Sequence, residues 1–237
     1  PTTILCGDIE SMRSVSIAGI GQTPARCDDG RPTSALAWSA LQAAIADAGL
    51  ANLQALYVSS MFCEENEREL SGLAKALPGV DVHCAAPACG GGAALHLAVQ
   101  AVAAGVYDRV AVVGADSVLR RAPAAAPDEC AQGLSCVELD ALILRRYLYE
   151  YSWQRSDLAP FVVNARRQAM ANSHAALRTP IDLGHYLAAA VSADPMTVLD
   201  SAPVCSGAAA VVLCPSQATP MGVRIAATTI GRDAPAL

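Results

Sequence analysis

The sequence predicts an α/β fold: a layered α/β/α domain with a mixed, mostly parallel sheet and an inserted helical segment. Three observations carry this. Strand and helix patterns alternate from residue 13 to residue 114. Beyond that point the texture turns helical and more charged, through Arg120-Arg121 and an Ala/Pro stretch, as far as about residue 194. Strand texture then returns at 207–214. Alternating strands and helices imply right-handed βαβ units covered on both faces of a sheet.

In chain order, residues 13–20 alternate in a β pattern and run into the turn Gly19-Ile20-Gly21-Gln22-Thr23-Pro24. A helix follows, with Thr33 or Ser34 as its expected cap. Leu36, Ala37, Ala40, Leu41, Ala44, Ile45 and Ala48 repeat at helical spacing, and Gly49 sits in the stop position. Residues 55–59 read as a short strand, 64–77 as a more polar helix closed by Pro78-Gly79, and 80–85 as a third strand. The stretch 93–102 is helical without a single charge, so it is expected to be the most deeply buried helix. A fourth strand covers 109–114. The inserted part holds helices at 137–151, at 157–171 from a Ser156 cap, and at 182–190 after Thr179-Pro180. Strands at 207–214 and 222–230 resume the sheet. The expected division is a core of 1–114 and 200–237 around an inserted helical domain of 115–199.

Composition narrows the function. A chain of 237 residues is long enough for a large core, as one domain or a domain plus an insertion. The formal charge is −6, and of 16 cationic Lys and Arg residues only Lys75 is a lysine. No basic run tracks a phosphate backbone, so no nucleic-acid partner is expected. Residues 84–107 carry no charge, but three consecutive glycines, nearby prolines, His96 and Gln100 argue against a membrane span. No signal-peptide pattern opens the sequence. Nine cysteines, an odd number without a C-x-x-C pair, fit a reducing, cytoplasmic setting. A metal site from His83, Cys84, Cys89 and His96 is not expected, because His96 would lie two turns, about 10 Å, along a helix opened by Cys89.

Cys89 is the candidate nucleophile. It stands in Pro87-Ala88-Cys89-Gly90-Gly91-Gly92, after a strand and directly ahead of the uncharged helix. A thiolate at a helix N-terminus is stabilised by unpaired N–H groups and the helix dipole, and the glycines let a substrate approach the backbone. Local spacing leaves a second reading open, a buried cysteine packing as a small hydrophobe.

The order of elements resembles the N-terminal half of a thiolase with its inserted loop domain. Ala88-Cys89-Gly90-Gly91-Gly92-Ala93-Ala94 resembles the nucleophile segment A-C-[AS]-[SG]-G, with Gly90 in place of Ala or Ser. Residues 142–153 with Asp157-Leu158-Ala159 resemble the A-R-R-Y-x-x-E-Y-G-x-[ST]-x-x-D-L-A stretch of thiolases of the sterol carrier protein x type. Ala193-Asp194-Pro195-Met196-Thr197-Val198-Leu199-Asp200, followed by Ser206-Gly207-Ala208-Ala209-Ala210, resembles their A-D-P-L-x-x-L-D…D-G-A-A-A. Ser206 stands where Asp is usual, Gly91 where Ser is common and Ala86 where Asn or Glu is frequent.

The resemblance implies acyl transfer by covalent catalysis, with a coenzyme A thioester as substrate and no metal. Cys89 would take the acyl group. Arg166, Arg167 and His174 lie in the loop-domain region that in the family approaches the coenzyme A phosphates, which suit a guanidinium; a solvated helix face is the bland alternative. Cys205 and Cys214 read as core filler, and Tyr147, Tyr149 and Tyr151 as packing between insertion helices. The family's second-half segments H-D-x-F and G-H-P are not in the sequence, so the C-terminal thiolase half is not expected within it. The alternative to an enzyme chain is therefore a thiolase-like subunit or fragment without independent catalysis. Expected partners are an acyl-CoA, a second copy in a homodimer, or a hetero-complex with a thiolase-like or OB-fold chain, with no membrane.

Overall fold

The computed structural model describes residues 12–27, 29–50, 52–60, 69–84, 90–117, 131–219 and 221–231. They fall into two compact units. Unit 1 holds residues 12–23, 29–117 and 206–231; unit 2 holds 24–27 and 131–205. Among the described residues no helix is long and apolar enough to cross a membrane.

Unit 1 is built in the order β1 (Val15–Gln22), α1 (Thr33–Ala48), β2 (Ala55–Ser59), β3 (Asp81–Cys84), α2 (Gly90–Ala103) and β4 (Val110–Asp116), completed by β7 (Gly207–Pro215) and β8 (Val223–Ile225). The six strands form one sheet in the order β3-β2-β4-β7-β1-β8. β3, β2 and β4 pair in parallel, whereas β7 lies antiparallel to both β4 and β1, and β8 antiparallel to β1. Strands β1 to β4 thus run one way, and β7 and β8 run against them. The sheet is mixed, as expected, and its parallel members are the ones linked by helical crossovers.

Period-two alternation decides which side chains meet which helix. Leu56, Val58, Ala111, Val113, Ala210 and Val212 pack with α1 residues Leu36, Ala37, Ala40, Leu41 and Ala44, all buried. Ala55, Tyr57, Val110, Val112 and Leu213 face the other way, onto Ala94, Ala98, Val99 and Val102 of α2. The result is three layers, helix on sheet on helix. On β1, Gly19 and Gly21 let α1 come unusually close: a Cβ on Gly21 would lie 2.2 Å from the Ala40 carbonyl oxygen, and one on Gly19 would lie 2.4 Å from the Ala48 nitrogen.

Several local expectations change. Thr33 and Ser34 are the first helical residues of α1 and do not cap it; Pro32 holds the N-cap position. The Glu69 carboxylate accepts hydrogen bonds there from Ser34 Oγ (2.8 Å) and the Ser34 N–H (3.3 Å), so a distant residue satisfies a donor of the first turn. Gly49 closes α1 in the left-handed conformation with φ 60°, as its position predicted. Of the helix expected at 64–77, residues 64–68 lie outside the described residues, and 72–76 tighten into a 3₁₀ turn. The helix after Cys89 is not the most deeply buried. Gly91, Gly92 and Gln100 are exposed and Leu97 is 46% exposed, because the sheet covers one side of α2 and the absence of charge does not by itself bring cover to the other. The last strand spans only Val223–Ile225 of the expected 222–230.

Unit 2 carries α3 (Cys136–Glu150), α4 (Ala159–Ala169), α5 (Leu183–Leu187) and a two-stranded ribbon of β5 (Val191–Ala193) and β6 (Met196–Thr197). α3 starts on a capping box: Ser135 Oγ accepts from the Val137 N–H, and Glu138 Oε2 accepts from the Ser135 N–H at 2.8 Å. Ser156 does not cap α4. A 3₁₀ turn, Arg155–Leu158, precedes it, with Asp157 Oδ2 accepting from the Gln154 N–H at 2.7 Å. Asp182 caps α5 through the His185 N–H at 2.8 Å. The tyrosines are not packed between helices. Tyr147, Tyr149 and Tyr151 are all exposed, with Tyr147 against Tyr151 (4.7 Å between ring centroids) and Trp153 (5.7 Å).

Candidate functional site

A groove of about 540 Å³ opens on unit 2, within the range of small-molecule sites. One wall is the face of α4 that presents Phe161, Val162, Ala165, Arg166 and Ala169 at helical spacing. Opposite stand residues 199–203 and Cys205, with Ala25 and Leu177 completing it. The lining is largely apolar, and Arg166, half-buried, brings a cation into it.

The wall at 199–203 is fixed by a buried polar network. Asp200 Oδ1 accepts from the Tyr186 hydroxyl at 2.8 Å, and Oδ2 accepts from the N–H and Oγ1 of Thr197, both at 2.7 Å. Tyr186 and Thr197 are fully buried, so these bonds satisfy groups that water cannot reach. Burial first, and then the Asp200 carboxylate, push the Tyr186 phenol up to about 12. Arg155 Nη2 donates to the Tyr186 and Leu187 carbonyls at 2.9 and 3.1 Å, and its guanidinium carbon stands 5.4 Å from the Tyr186 ring centre. Both oxygens of Asp200 are so engaged, and Arg166 is the cation among the lining residues.

The residues singled out from sequence do not form one cluster. Arg166 lines the groove. Arg167 turns to Asn164, donating from Nη2 to Oδ1 at 2.8 Å. His174 does not line the groove; its N–H is donated to Asn172 Oδ1 and its carbonyl accepts the Ala25 N–H, both at 2.9 Å. Cys89 lies outside the described residues. The helix it precedes starts at Gly90, whose φ of 64° is a left-handed conformation suited to glycine, and positions 91 and 92 face open space in which a Cβ would meet nothing within 4 Å.

The remaining histidines of unit 1 are engaged. His83 stacks on Tyr57 with centroids 4.6 Å apart and shares a hydrogen bond with Tyr107 Oη, and His96 Nδ1 is 2.6 Å from Thr228 Oγ1. Cys214 is buried core, as expected, but Cys205 is not filler, because it faces the groove. The Tyr186–Asp200–Thr197 network escaped the sequence reading. Its only signal was the pairing of Asp200 with Thr197 at i and i+3 in the A-D-P-M-T-V-L-D stretch.

No protein-family model matches the chain. It is 30% identical, over an alignment 243 residues long including gaps, to an acetyl-CoA acetyltransferase of Methanothermobacter thermautotrophicus, covering 93% of this chain and 63% of that protein. It is also 30% identical over 216 residues to the benzoylsuccinyl-CoA thiolase subunit BbsB of Thauera aromatica, covering 85% and 55%. The chain therefore spans between half and two thirds of the length of these relatives. Among solved structures, the Ltp2-ChsH2(DUF35) aldolase shares its fold with a TM-score of 0.74 at 24% identity, over 88% of this chain and 57% of that one. A monomeric SCP2-thiolase-like protein type 1 of Mycobacterium smegmatis gives a TM-score of 0.67 at 19% identity, over 88% and 47%.

Proposed function

We propose that this chain, similar in sequence to an acetyl-CoA acetyltransferase and to a thiolase subunit and thiolase-like in fold, carries the acyl-accepting half of a thiolase-like acyl-CoA acyltransferase. In this reading the Cys89 thiolate attacks the carbonyl carbon of an acyl-CoA thioester. The carbonyl oxygen becomes an oxyanion, the C–S bond to coenzyme A breaks, and the acyl group is left on the cysteine as coenzyme A thiolate departs. An enolate or coenzyme A then takes the acyl group from Cys89. In this reading backbone N–H groups at 90–92, where an added Cβ would meet nothing within 4 Å, donate to that oxyanion. Arg166 in the unit 2 groove pairs with a phosphate of coenzyme A, with Arg167 and His174 as weaker contributors from the same region.

The observation that carries this reading is the likeness to the archaeal acetyltransferase over 93% of the chain, together with the A-C-G-G-G segment that the chain itself contains. Titration calorimetry with desulfo-coenzyme A tests the groove. Arg166→Ala should weaken binding about 10- to 100-fold, the loss of one charge-assisted hydrogen bond. Arg167→Ala should weaken it less. Equal affinity in the wild type and Arg166→Ala would remove Arg166 from the site.

A second reading has its own support. One relative is named a thiolase subunit, one structural neighbour is an assembly with a DUF35 component, and the outer side of α2 is uncharged and exposed at Leu97. On that reading the chain works within a homodimer or a hetero-complex that covers α2. A well-behaved monomer by light scattering at micromolar concentration would count against the homodimer.

A further inference from the structure

We propose that Cys27 and Cys205 form a redox-active dithiol in the wall of the unit 2 groove, a site for oxidation to an intramolecular disulfide by a low-molecular-weight disulfide such as oxidised glutathione. The two sulfurs stand 2.7 Å apart although the residues are 178 positions apart in sequence. A disulfide bond of ~2.05 Å is about 0.7 Å shorter, a gap that small side-chain rotations close. The approach is set by fixed backbone on both sides. Ala25, two residues before Cys27, donates its N–H to the His174 carbonyl at 2.9 Å. Thr23 and Ala208, just outside the pair along the chain, exchange hydrogen bonds through the Thr23 N–H and the Ala208 N–H, both at 2.9 Å.

The two sulfurs have different roles. Cys27 is exposed, so a disulfide reagent reaches it first. Cys205 is half-buried and lines the groove, and burial followed by its hydrogen bond to Cys27 pushes its thiol up to about 11, which makes it a poor first nucleophile and a suitable resolving sulfur. In the first step the Cys27 thiolate attacks one sulfur of R–S–S–R; a mixed disulfide forms and R–S⁻ leaves. In the second, the Cys205 sulfur gives up its proton and attacks the Cys27 sulfur, releasing a second R–S⁻. The two cysteines together lose two electrons, the reagent gains them, and the two thiol protons end on the two released R–SH. The product ties the segment before residue 28 to the wall at 203–205 and removes the Cys205 thiol from the groove.

The test is disulfide mapping of the full chain, a readout independent of coenzyme A chemistry. Reduced, desalted protein is exposed to oxidised glutathione without oxygen, quenched with N-ethylmaleimide, digested under non-reducing conditions and analysed by mass spectrometry. The main product should be the Cys27–Cys205 linked peptide, reversed by dithiothreitol. In Cys205→Ser the same treatment should leave glutathione on Cys27, and in Cys27→Ser modification of Cys205 should slow at least about 10-fold. A wild-type chain that keeps glutathione on Cys27 without cross-linking overturns the proposal. So does pairing of Cys27 with another cysteine, or an equal yield of the link from urea-unfolded protein.

Discussion

Replacing Gly21 with alanine should loosen α1 from the sheet. The added Cβ would lie 2.2 Å from the Ala40 carbonyl oxygen, 2.5 Å from the Ala44 nitrogen and 2.9 Å from the Ala43 Cβ. Ordinary contacts need more than 3 Å, so the helix backbone must retreat by about 1 Å, since no flexible side chain is available to give way. A retreat of that size forfeits a quarter to a half of the dispersion energy at each contact it opens, and Leu36, Ala37, Ala40, Leu41 and Ala44 are all fully buried on that face. Overpacking ordinarily costs ~1–3 kcal/mol, and a clash against backbone belongs at the upper end, near 3 kcal/mol. For a unit of this size that lowers Tm by roughly 10 °C. Trp38 on α1 packs against the same core and the other tryptophan, Trp153, lies in unit 2, so in a Trp153→Phe background indole fluorescence follows α1 directly. Gly72→Ala is the control, because its Cβ would meet nothing within 4 Å and should change stability by no more than ~0.5 kcal/mol. If urea melts of Gly21→Ala and Gly72→Ala coincide, the close approach of α1 to β1 is wrong.

The Tyr186 phenol gives a pH dependence. Its folded pKa is raised to about 12 from an unfolded value near 10, so the unfolded chain loses the proton first, and unit 2 should lose stability between about pH 10 and pH 12 and keep it below pH 10. The loss should approach roughly 2–3 kcal/mol and be absent in Tyr186→Phe, read from paired denaturant melts; parallel profiles would refute it. Asp200→Ala leaves the buried Tyr186 hydroxyl and the Thr197 N–H without their acceptor, and should destabilise unit 2 by ~1–3 kcal/mol in a thermal melt; an unchanged Tm would contradict the network. Iodoacetamide near neutral pH should modify Cys89 faster than Cys205 or Cys214, because burial holds the Cys205 and Cys214 thiols protonated. Peptide mapping that finds Cys89 inert while Cys205 reacts would leave only the packing role for Cys89.

What was legible in the sequence follows the range of the interactions. α1 could be read from its alanine and leucine spacing and from Gly49, because both signals are local. So could the five-residue β2 and the return of strand texture at 207. The position of β7 between β4 and β1 could not, since nothing local in Gly207–Pro215 names partners that lie far earlier in the chain. Glu69 reaching Ser34, Tyr186 reaching Asp200 and Cys27 reaching Cys205 share that character: each is a tertiary contact between ordinary residue types. Arg166 and Arg167 were expected together, from the resemblance alone; helical spacing separates them by about 100°, and only the structure shows which of the two faces the groove. α2 misled for a physical reason, as an uncharged helix states what it tolerates and not what covers it.

The most direct measurement is the covalent one. Intact protein incubated with acetoacetyl- or acetyl-coenzyme A at neutral pH, quenched in acid and analysed by intact and peptide mass spectrometry, should carry a single acyl group on Cys89 as a hydroxylamine-labile thioester. Cys89→Ser should carry none. Acylation confined to another cysteine, or a Cys89 that stays free while a known thiolase is acylated under the same conditions, would contradict the assignment of Cys89 as the acyl-accepting nucleophile.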